Sequence, residues 1–195
     1  MALRTIGALL LGAFVTSAHA DCMRYMVAIL TGSQEVPQNA SAGLGAAQIA
    51  INTTTNVMDY RIVYWGLGSA ETAAHIHGIA DVGVNAGILH TLPPGTLKVG
   101  TWTYPESLES DILAGRTYIN IHSLNIPGGE IRGQIVTHVA LLDGNQEVPP
   151  VPTAASGWAV ATVNTAAKTL SYHIVHNVAG ETAAHFHGNS NYQVS

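Results

Sequence analysis

Residues 71–78 read ETAAHIHG, and residues 181–188 read ETAAHFHG, the same segment with one letter changed. In a β-strand, residues two apart point to the same face of the sheet. His75 and His77 would therefore project from one face, with Ile76 on the opposite face. The segment predicts a strand that buries its isoleucine in a core and presents two imidazoles on the other side.

The repetition extends well beyond these eight residues. GSQEVP at residues 32–37 returns as GNQEVP at residues 144–149. Self-similarity of this kind is the sequence signature of a duplicated structural unit. The chain is therefore predicted to contain a full domain over residues 24–137 (copy one). A partial domain follows over residues 138–195 (copy two), and it corresponds to the N-terminal half of copy one.

Composition and local pattern both favour β-structure. Only 10% of the residues are charged, well below the roughly 25% usual for a soluble domain. We predict an all-β fold, an antiparallel immunoglobulin-like or Greek-key β-sandwich or barrel, in which copy two is incomplete. One short helix is expected at residues 108–114, with Ser107 as its N-cap. Eight strands are predicted in copy one, from segments rich in Val, Ile, Thr and Tyr, at residues 26–30, 46–51, 57–65, 73–77, 87–92, 97–102, 117–122 and 130–137.

The first residues have the features of a secretory signal peptide. An arginine precedes an apolar run at residues 6–15, and AHA at residues 18–20 forms a cleavage site. Residues 1–20 are therefore predicted to be removed, giving a secreted or periplasmic protein that begins at Asp21. The one cysteine, Cys22, cannot form an internal disulfide. We expect a free thiol or intermolecular pairing there, and a lipid anchor fits less well because no small residue directly precedes the cysteine.

Charge and motif content argue against several classes of protein. The formal net charge is -5 at pH 7, and the seven Lys and Arg residues are scattered, so no nucleic-acid partner is expected. After the predicted signal peptide, no apolar run is long enough for a transmembrane helix. Neither a nucleophile elbow nor a phosphate-binding loop is present in the sequence, which argues against hydrolase chemistry and a nucleotide cofactor.

The histidines make a metal ion the candidate ligand. In TYINIH at residues 117–122, the same strand parity places Asn120 and His122 on one face and the two isoleucines on the other. If the isoleucines fill the core, His122 could join His75 and His77 on the outer face of the sheet. Imidazoles from two strands suit copper or zinc. The alternative is a group of ordinary surface or hydrogen-bonded histidines.

Copy two keeps the histidine pair without its third member. His185 and His187 repeat the pair, but the second copy has no counterpart of His122. It is therefore predicted to carry only a partial metal site. Because an incomplete sheet leaves an unpaired edge, three alternatives are open for copy two: it is poorly ordered, it is completed by another chain through self-association, or it is part of a longer natural protein.

The segments GxQEVP, TAAHIHG, GRTYINIHS and PGGEIRGQI together resemble the CHRD domain, a family named for its occurrence in chordin and common in secreted bacterial proteins. The resemblance covers all of copy one and the first half of copy two. It implies an immunoglobulin-like β-barrel, and it implies no settled activity.

A second resemblance is partial. In copper-zinc superoxide dismutases an HxH strand, a bridging histidine and a histidine that ends a GRT strand hold copper, and an arginine near the C-terminus guides the superoxide anion. The resemblance implies copper ligation by His75, His77 and His122, a bridging interval that contains His90, and an anion-guiding role for Arg132. The zinc-ligand histidines and disulfide cysteines of those enzymes are absent, so a copper-only site is implied.

Two readings of these residues remain open. The first is a secreted protein that binds a copper ion through surface-strand histidines, with a redox or copper-carrier role. The second is a non-enzymatic extracellular structural or interaction module with structural histidines. Arg132 also shares a strand face with Glu130, and the structural alternative to anion guidance is an ion pair that locks the C-terminal strand, between these two residues or with Glu35 or Glu147. Glu35, which lies in QEVP before Pro37, is predicted to be structural.

Overall fold

The computed structural model describes residues 23–188. The predicted signal peptide and Cys22 lie outside the described residues. Copy one contains eight strands and one short helix: β1 (Met23–Thr31), β2 (Leu44–Asn52), β3 (Val57–Trp65), β4 (Glu71–Gly78), β5 (Ile88–Thr91), β6 (Leu97–Thr103), α1 (Glu109–Leu113), β7 (Thr117–Ser123) and β8 (Ile131–Gln134). All eight predicted strand segments correspond to strands in the structure.

The eight strands form one antiparallel sheet in the order β5-β4-β7-β8-β1-β2-β3-β6, which curls into a nearly closed barrel. The two edge strands, β5 and β6, are brought together by side chains. His90 of β5 stacks on Trp102 of β6 with ring centroids 5.6 Å apart. The all-β, antiparallel prediction is confirmed.

Strand alternation decides which residues fill the barrel. β3 alternates buried and outward residues along its length, and its Ile62 is fully buried. Ile76 of β4 and Ile119 and Ile121 of β7 are also fully buried in the same core cluster. Because the period of a strand is two, the neighbours of these isoleucines must lie on the outer face of the sheet.

The predicted helix is present but begins differently. A 3-10 turn at Glu106–Leu108 leads into α1, so Ser107 lies inside that turn and Leu108 is the N-cap, without a side-chain cap. Gly115 follows the helix with a φ of +80°, a conformation that glycine adopts without a steric penalty. Fully buried Ile112 anchors the helix to the core.

Copy two forms a small separate sheet. Its three strands, β9 (His138–Asp143), β10 (Ser156–Asn164) and β11 (Thr169–His176), pair in the order β11-β10-β9. Trp158 packs with Val136 and Val160 in a second apolar cluster, and its Nε1–H donates to Ser33 Oγ of copy one at 3.1 Å. Residues 177–188 have no regular secondary structure. Within the described part of the chain, no helix combines the length and apolar character needed to cross a membrane.

Candidate metal centre

The pairing of β4 with β7 gathers three histidines on the outer face of the sheet. His75 lies opposite Asn120, and Ala73 lies opposite His122, so His75 and His122 are diagonal neighbours. His77 follows His75 on the same face. One nitrogen from each of the three imidazoles lies within 4.8 Å of the other two, and His75 Nδ1 is 3.1 Å from His122 Nε2. These three residues are called the histidine trio below.

Backbone carbonyls orient two of the three rings. His77 Nδ1 lies 3.0 Å from the Ala86 carbonyl oxygen, and His122 Nδ1 lies 3.0 Å from the Pro127 carbonyl oxygen. A carbonyl can only accept, so both Nδ1 atoms carry a proton and donate it. In a neutral imidazole this leaves the lone pair on Nε2, which is the arrangement that metal-ligating histidines usually show. Nε2 of His77 is buried and has no hydrogen-bond partner among the described residues.

The surroundings keep two of these imidazoles neutral. The pKa of His77 lies below the usual histidine value, mainly because of burial, with the nearby charges of His122 and Arg132 adding to the shift and the hydrogen bond to Ala86 opposing it. The pKa of His75 is also lowered, first by burial and then by His122 and His77. Since a proton competes with a metal for the same lone pair, lowered pKa values favour metal binding at neutral pH.

The spacing of the nitrogens is close to that of a bound metal. A metal at about 2.0–2.1 Å from each imidazole nitrogen holds tetrahedral ligands about 3.3 Å apart. His75 Nδ1 and His122 Nε2 are 3.1 Å apart, which is the length of an N–H···N hydrogen bond between the two rings and is also close to this ligand spacing. Across all three rings, one nitrogen of each lies within 4.8 Å of the other two, so the side chains have to draw closer together to bind one metal at this distance.

Arg132 lies next to the trio, under a covering loop. The residue is only 2% exposed, and its guanidinium lies 3.5 Å from the ring centroid of Tyr118. It donates to the Val84 carbonyl at 2.9 Å and to Asn85 Oδ1 at 3.2 Å. The predicted anion-guiding arginine is therefore beside the site, but loop residues 79–87 shield it from open solvent.

The alternative role for Arg132, an ion pair with Glu130, is not what the structure shows. Within residues 23–188 no ion pair joins Arg132 to Glu130, Glu35 or Glu147. Glu130 instead accepts hydrogen bonds from Ser41 Oγ at 2.7 Å and from the Gly68 amide at 2.6 Å. The carboxylate therefore anchors the loops that precede β2 and β4.

The structure does not bring His90 to the trio. His90 lies opposite Ile76 in the register of β4 and β5, so it shares the inner face of the barrel with that isoleucine. Its ring stacks on Trp102 with an interplanar angle of 16° and lies 5.8 Å from the Tyr60 ring. His90 therefore helps to close the barrel, because its ring joins β5 to β6.

Among residues 23–188, the two histidines of copy two belong to no cluster of three ligand-type side chains. The rings of His185 and His187 are 5.9 Å apart, and both residues are exposed in a segment without regular structure. The one cluster of three ligand-type side chains found among the described residues is the trio of copy one.

Sequence reasoning missed part of the site. Tyr118 stacks on His77 with centroids 5.0 Å apart and rings 6° from parallel. Strand parity in TYINIH could have placed Tyr118 on this face, since it lies two residues before Asn120. No local signal identifies the Ala86 and Pro127 carbonyls, because they lie in loops whose paths depend on the rest of the fold.

The site therefore belongs to a nearly closed β-barrel that carries a histidine cluster on its outer face, with His77 buried and His75 and His122 half-buried. The sequence model of the CHRD domain matches the chain over residues 26–135 and again over residues 139–194. The chain thus belongs to the CHRD domain family, and both copies match the same family model. Comparisons with curated proteins and with solved structures gave no match.

Proposed function

We propose that this CHRD protein binds one transition-metal ion, with copper as the preferred ion, through the histidine trio. The observation that carries the proposal is the convergence of three imidazole nitrogens within 4.8 Å. It is supported by the two Nδ1–H donations to backbone carbonyls, which turn the Nε2 lone pairs of His77 and His122 away from the loops. The unpartnered Nε2 of His77 gains a partner when a metal binds.

The chemistry of the donors favours copper or zinc over hard cations. Calcium and magnesium require carboxylate or carbonyl oxygens, whereas imidazole suits copper and zinc. Divalent copper binds such nitrogen donors more tightly than the other first-row divalent ions. Three protein ligands also leave a coordination position open for a small molecule.

Two roles fit an open three-histidine copper site. The metal would supply redox chemistry toward a small anion, with Arg132 contributing positive potential from beneath loop 79–87. Alternatively, the site carries copper and transfers it to another protein. Secretion to the periplasm or the cell exterior, where either role would operate, follows from the predicted signal peptide and is part of the proposal.

Metal titration tests the site directly. The metal-free protein should bind about one equivalent of copper tightly, and His77→Ala or His122→Ala should weaken that binding by about a hundredfold or more. The matched control is the double variant His185→Ala, His187→Ala, which removes the same motif from copy two and should retain the tight equivalent. Equal copper affinity in the wild type and in both trio variants would rule the site out.

A superoxide dismutation assay separates the two roles. Copper-loaded protein that removes superoxide faster than equimolar His122→Ala protein supports the redox role. Copper-loaded protein without activity, but with measurable copper transfer to a chelating acceptor, supports the carrier role.

A non-enzymatic interaction module is the second candidate, and exposed apolar residues favour it. On the outer face of the barrel Val63, Trp65 and Val99 are 41%, 53% and 60% exposed. In copy two, Tyr172 and Phe186 are 60% and 63% exposed. Self-association through copy two predicts a larger mass in solution for the full chain than for a chain that ends at residue 137. Identical monomer masses for both chains would exclude copy two as the association element.

A further inference from the structure

A buried acid, Glu35, contacts β7, the strand that also carries His122 of the trio. Glu35, in the segment after β1, is 5% exposed, and so is Asn120 of β7. The Asn120 side-chain amide donates from Nδ2 to Glu35 Oε2 at 3.4 Å. Asn120 in turn lies opposite His75 in the register of β4 and β7, so it stands between the acid and the trio.

Two buried oxygens at this contact have no donor. Glu35 Oε1 and Asn120 Oδ1 are both buried and both lack a hydrogen-bond partner among the described residues. They lie at most about 5.3 Å apart, because a Cβ built on Gly129 would be 2.8 Å from Glu35 Oε1 and 2.5 Å from Asn120 Oδ1. A carboxylate only accepts hydrogen bonds. An ionised Glu35 therefore leaves two neighbouring buried acceptors without a donor, which is costly in free energy.

A single proton on Glu35 satisfies both atoms. The neutral acid donates from Oε1–H to Asn120 Oδ1, while Asn120 Nδ2–H donates to Glu35 Oε2. An acid and an amide that face each other in this way form a closed pair of hydrogen bonds. Hydrogen bonding thus points to the neutral acid independently of any electrostatic argument.

The charges around Glu35 compete with burial. Arg132 of β8 favours the ionised form, as do the Asn120 and Val36 hydrogen bonds, but burial is the largest effect and raises the pKa of Glu35 to about 7. The Arg132 guanidinium is engaged by the Val84 carbonyl and by Asn85. From copy two, His173 of β11 lines the same cavity of about 350 Å³ as Glu35, and it is the other titratable group on that side.

We propose that Glu35 is a proton-binding site in which the neutral acid and the Asn120 amide form a pair of hydrogen bonds, and that a proton at Glu35 and a metal at the trio each weaken the binding of the other. A cation at the trio favours the Glu35 carboxylate, and by reciprocity the proton at Glu35 weakens metal binding. The geometry of Glu35 and Asn120 supports the proton site independently. The opposition between proton binding and metal binding rests on the proposed metal-binding function.

Glu35→Gln is the decisive variant, because glutamine reproduces the neutral acid. Its amide donates to Asn120 Oδ1 and accepts from Nδ2, and it cannot ionise. Glu147→Gln is the matched control, since Glu147 is the counterpart of Glu35 in the repeat and is exposed. A group whose pKa is higher in the folded state adds stability below its unfolded value, and this stability is lost as the pH rises through the folded value.

Unfolding as a function of pH tests the proton site. Relative to Glu35→Gln, the folding equilibrium constant of the wild type should fall by up to about tenfold per pH unit between pH 5 and 7. Glu147→Gln should follow the wild type. Parallel profiles for the wild type and Glu35→Gln would overturn the proposal. Should Glu35→Gln fail to fold, the infrared carbonyl band of a buried neutral acid in the wild type at pH 6, shifting as the pH rises to 8, decides the matter. Absence of that band contradicts the proposal.

Calorimetric copper titration at pH 6, in two buffers of different ionisation enthalpy, tests the opposition. The wild type should release more protons on binding than Glu35→Gln, by up to about one, because the histidines contribute equally in both. Equal proton release by the two proteins overturns the opposition. A chain that binds no copper overturns the proposed function and the opposition together, while the unfolding profiles still decide the proton site.

Discussion

The two copies contain nearly the same eight-residue segment, but this segment has a different structure in each copy. In copy one, ETAAHIHG is strand β4 between β5 and β7, and its Ile76 is fully buried. In copy two, ETAAHFHG at residues 181–188 has no regular structure, and its Phe186 is 63% exposed. The local sequence is therefore not sufficient to make the strand. Strands on both sides must satisfy its backbone hydrogen bonds.

The copies also differ in which face of the corresponding strand, β2 in copy one and β10 in copy two, is buried. In β2 of copy one, Ala47 and Ile49 are buried and Ala46 is exposed. In β10, the counterpart of Ala46 is Trp158, which is 7% exposed against copy one, and Val160 beside it is 2% exposed. A strand with alternating residues buries whichever face finds a partner. The substitution of alanine by tryptophan supplies the apolar area on the opposite side.

The largest predicted contrast is at the glutamate that begins each segment. Glu71 forms an ion pair with fully buried Lys98, whereas Glu181 pairs with His176 at the surface. Glu71→Gln should destabilise the protein by about 3–5 kcal/mol, because it leaves a buried ammonium without its counter-charge. Glu181→Gln should cost less than about 1 kcal/mol. Urea unfolding of both variants measures the difference, and equal losses would contradict the account of β4.

The second contrast concerns the core residue between the two histidines. Ile76→Ala should cost about 2–5 kcal/mol, because it opens a cavity in a close-packed barrel. Phe186→Ala removes an exposed side chain and should change stability by less than about 0.5 kcal/mol. The same unfolding experiment applies, and a large loss for Phe186→Ala would show that copy two buries this residue in solution.

The pH dependence of metal binding sharpens the comparison of the two histidine pairs. A His185→Ala, His187→Ala, Glu35→Gln background removes the histidine pair of copy two and the proposed proton site, so that the pH profile reports the trio. The lowered pKa values of His75 and His77 predict that copper affinity stays constant until the pH drops below about 6.5. It should then fall by up to about tenfold per pH unit for each histidine that protonates. Competition titrations between pH 8 and 5 measure this profile, and a fall that begins above pH 7 would contradict it.

The smallest predicted contrast in stability between counterpart residues is at the contact between the copies. Ser33→Ala removes the acceptor of the Trp158 Nε1–H bond and should cost about 0.5–1.5 kcal/mol. Asn145→Ala, at the exposed counterpart of Ser33, is the control and should leave the environment of Trp158 unchanged. Tryptophan fluorescence and thermal unfolding report both effects. Unchanged fluorescence and stability in Ser33→Ala would show that the hydrogen bond from Trp158 does not help to hold copy two against copy one.

Much of copy one could be predicted from strand parity. The alternation in β4 and β7 placed the isoleucines inside and the histidines together outside, as the structure shows for Ile76, Ile119 and Ile121. The same parity argument could not place His90, because the face of an edge strand depends on its register with the neighbour. Nor could it show that the outer face is covered, since the covering loops are held by contacts distant in sequence, such as Arg132 with Val84.

The sequence by itself determined the duplication, the β-structure of copy one and the common face of His75 and His77. These properties depend on periodicity and composition, which are local. Only the tertiary structure decided that His122 joins the pair, that Glu35 meets Asn120 in a buried layer, and that the second segment forms no strand. Each of these depends on which strands and loops pack together, because hydrogen bonds between strands and burial are supplied by residues far away in the chain.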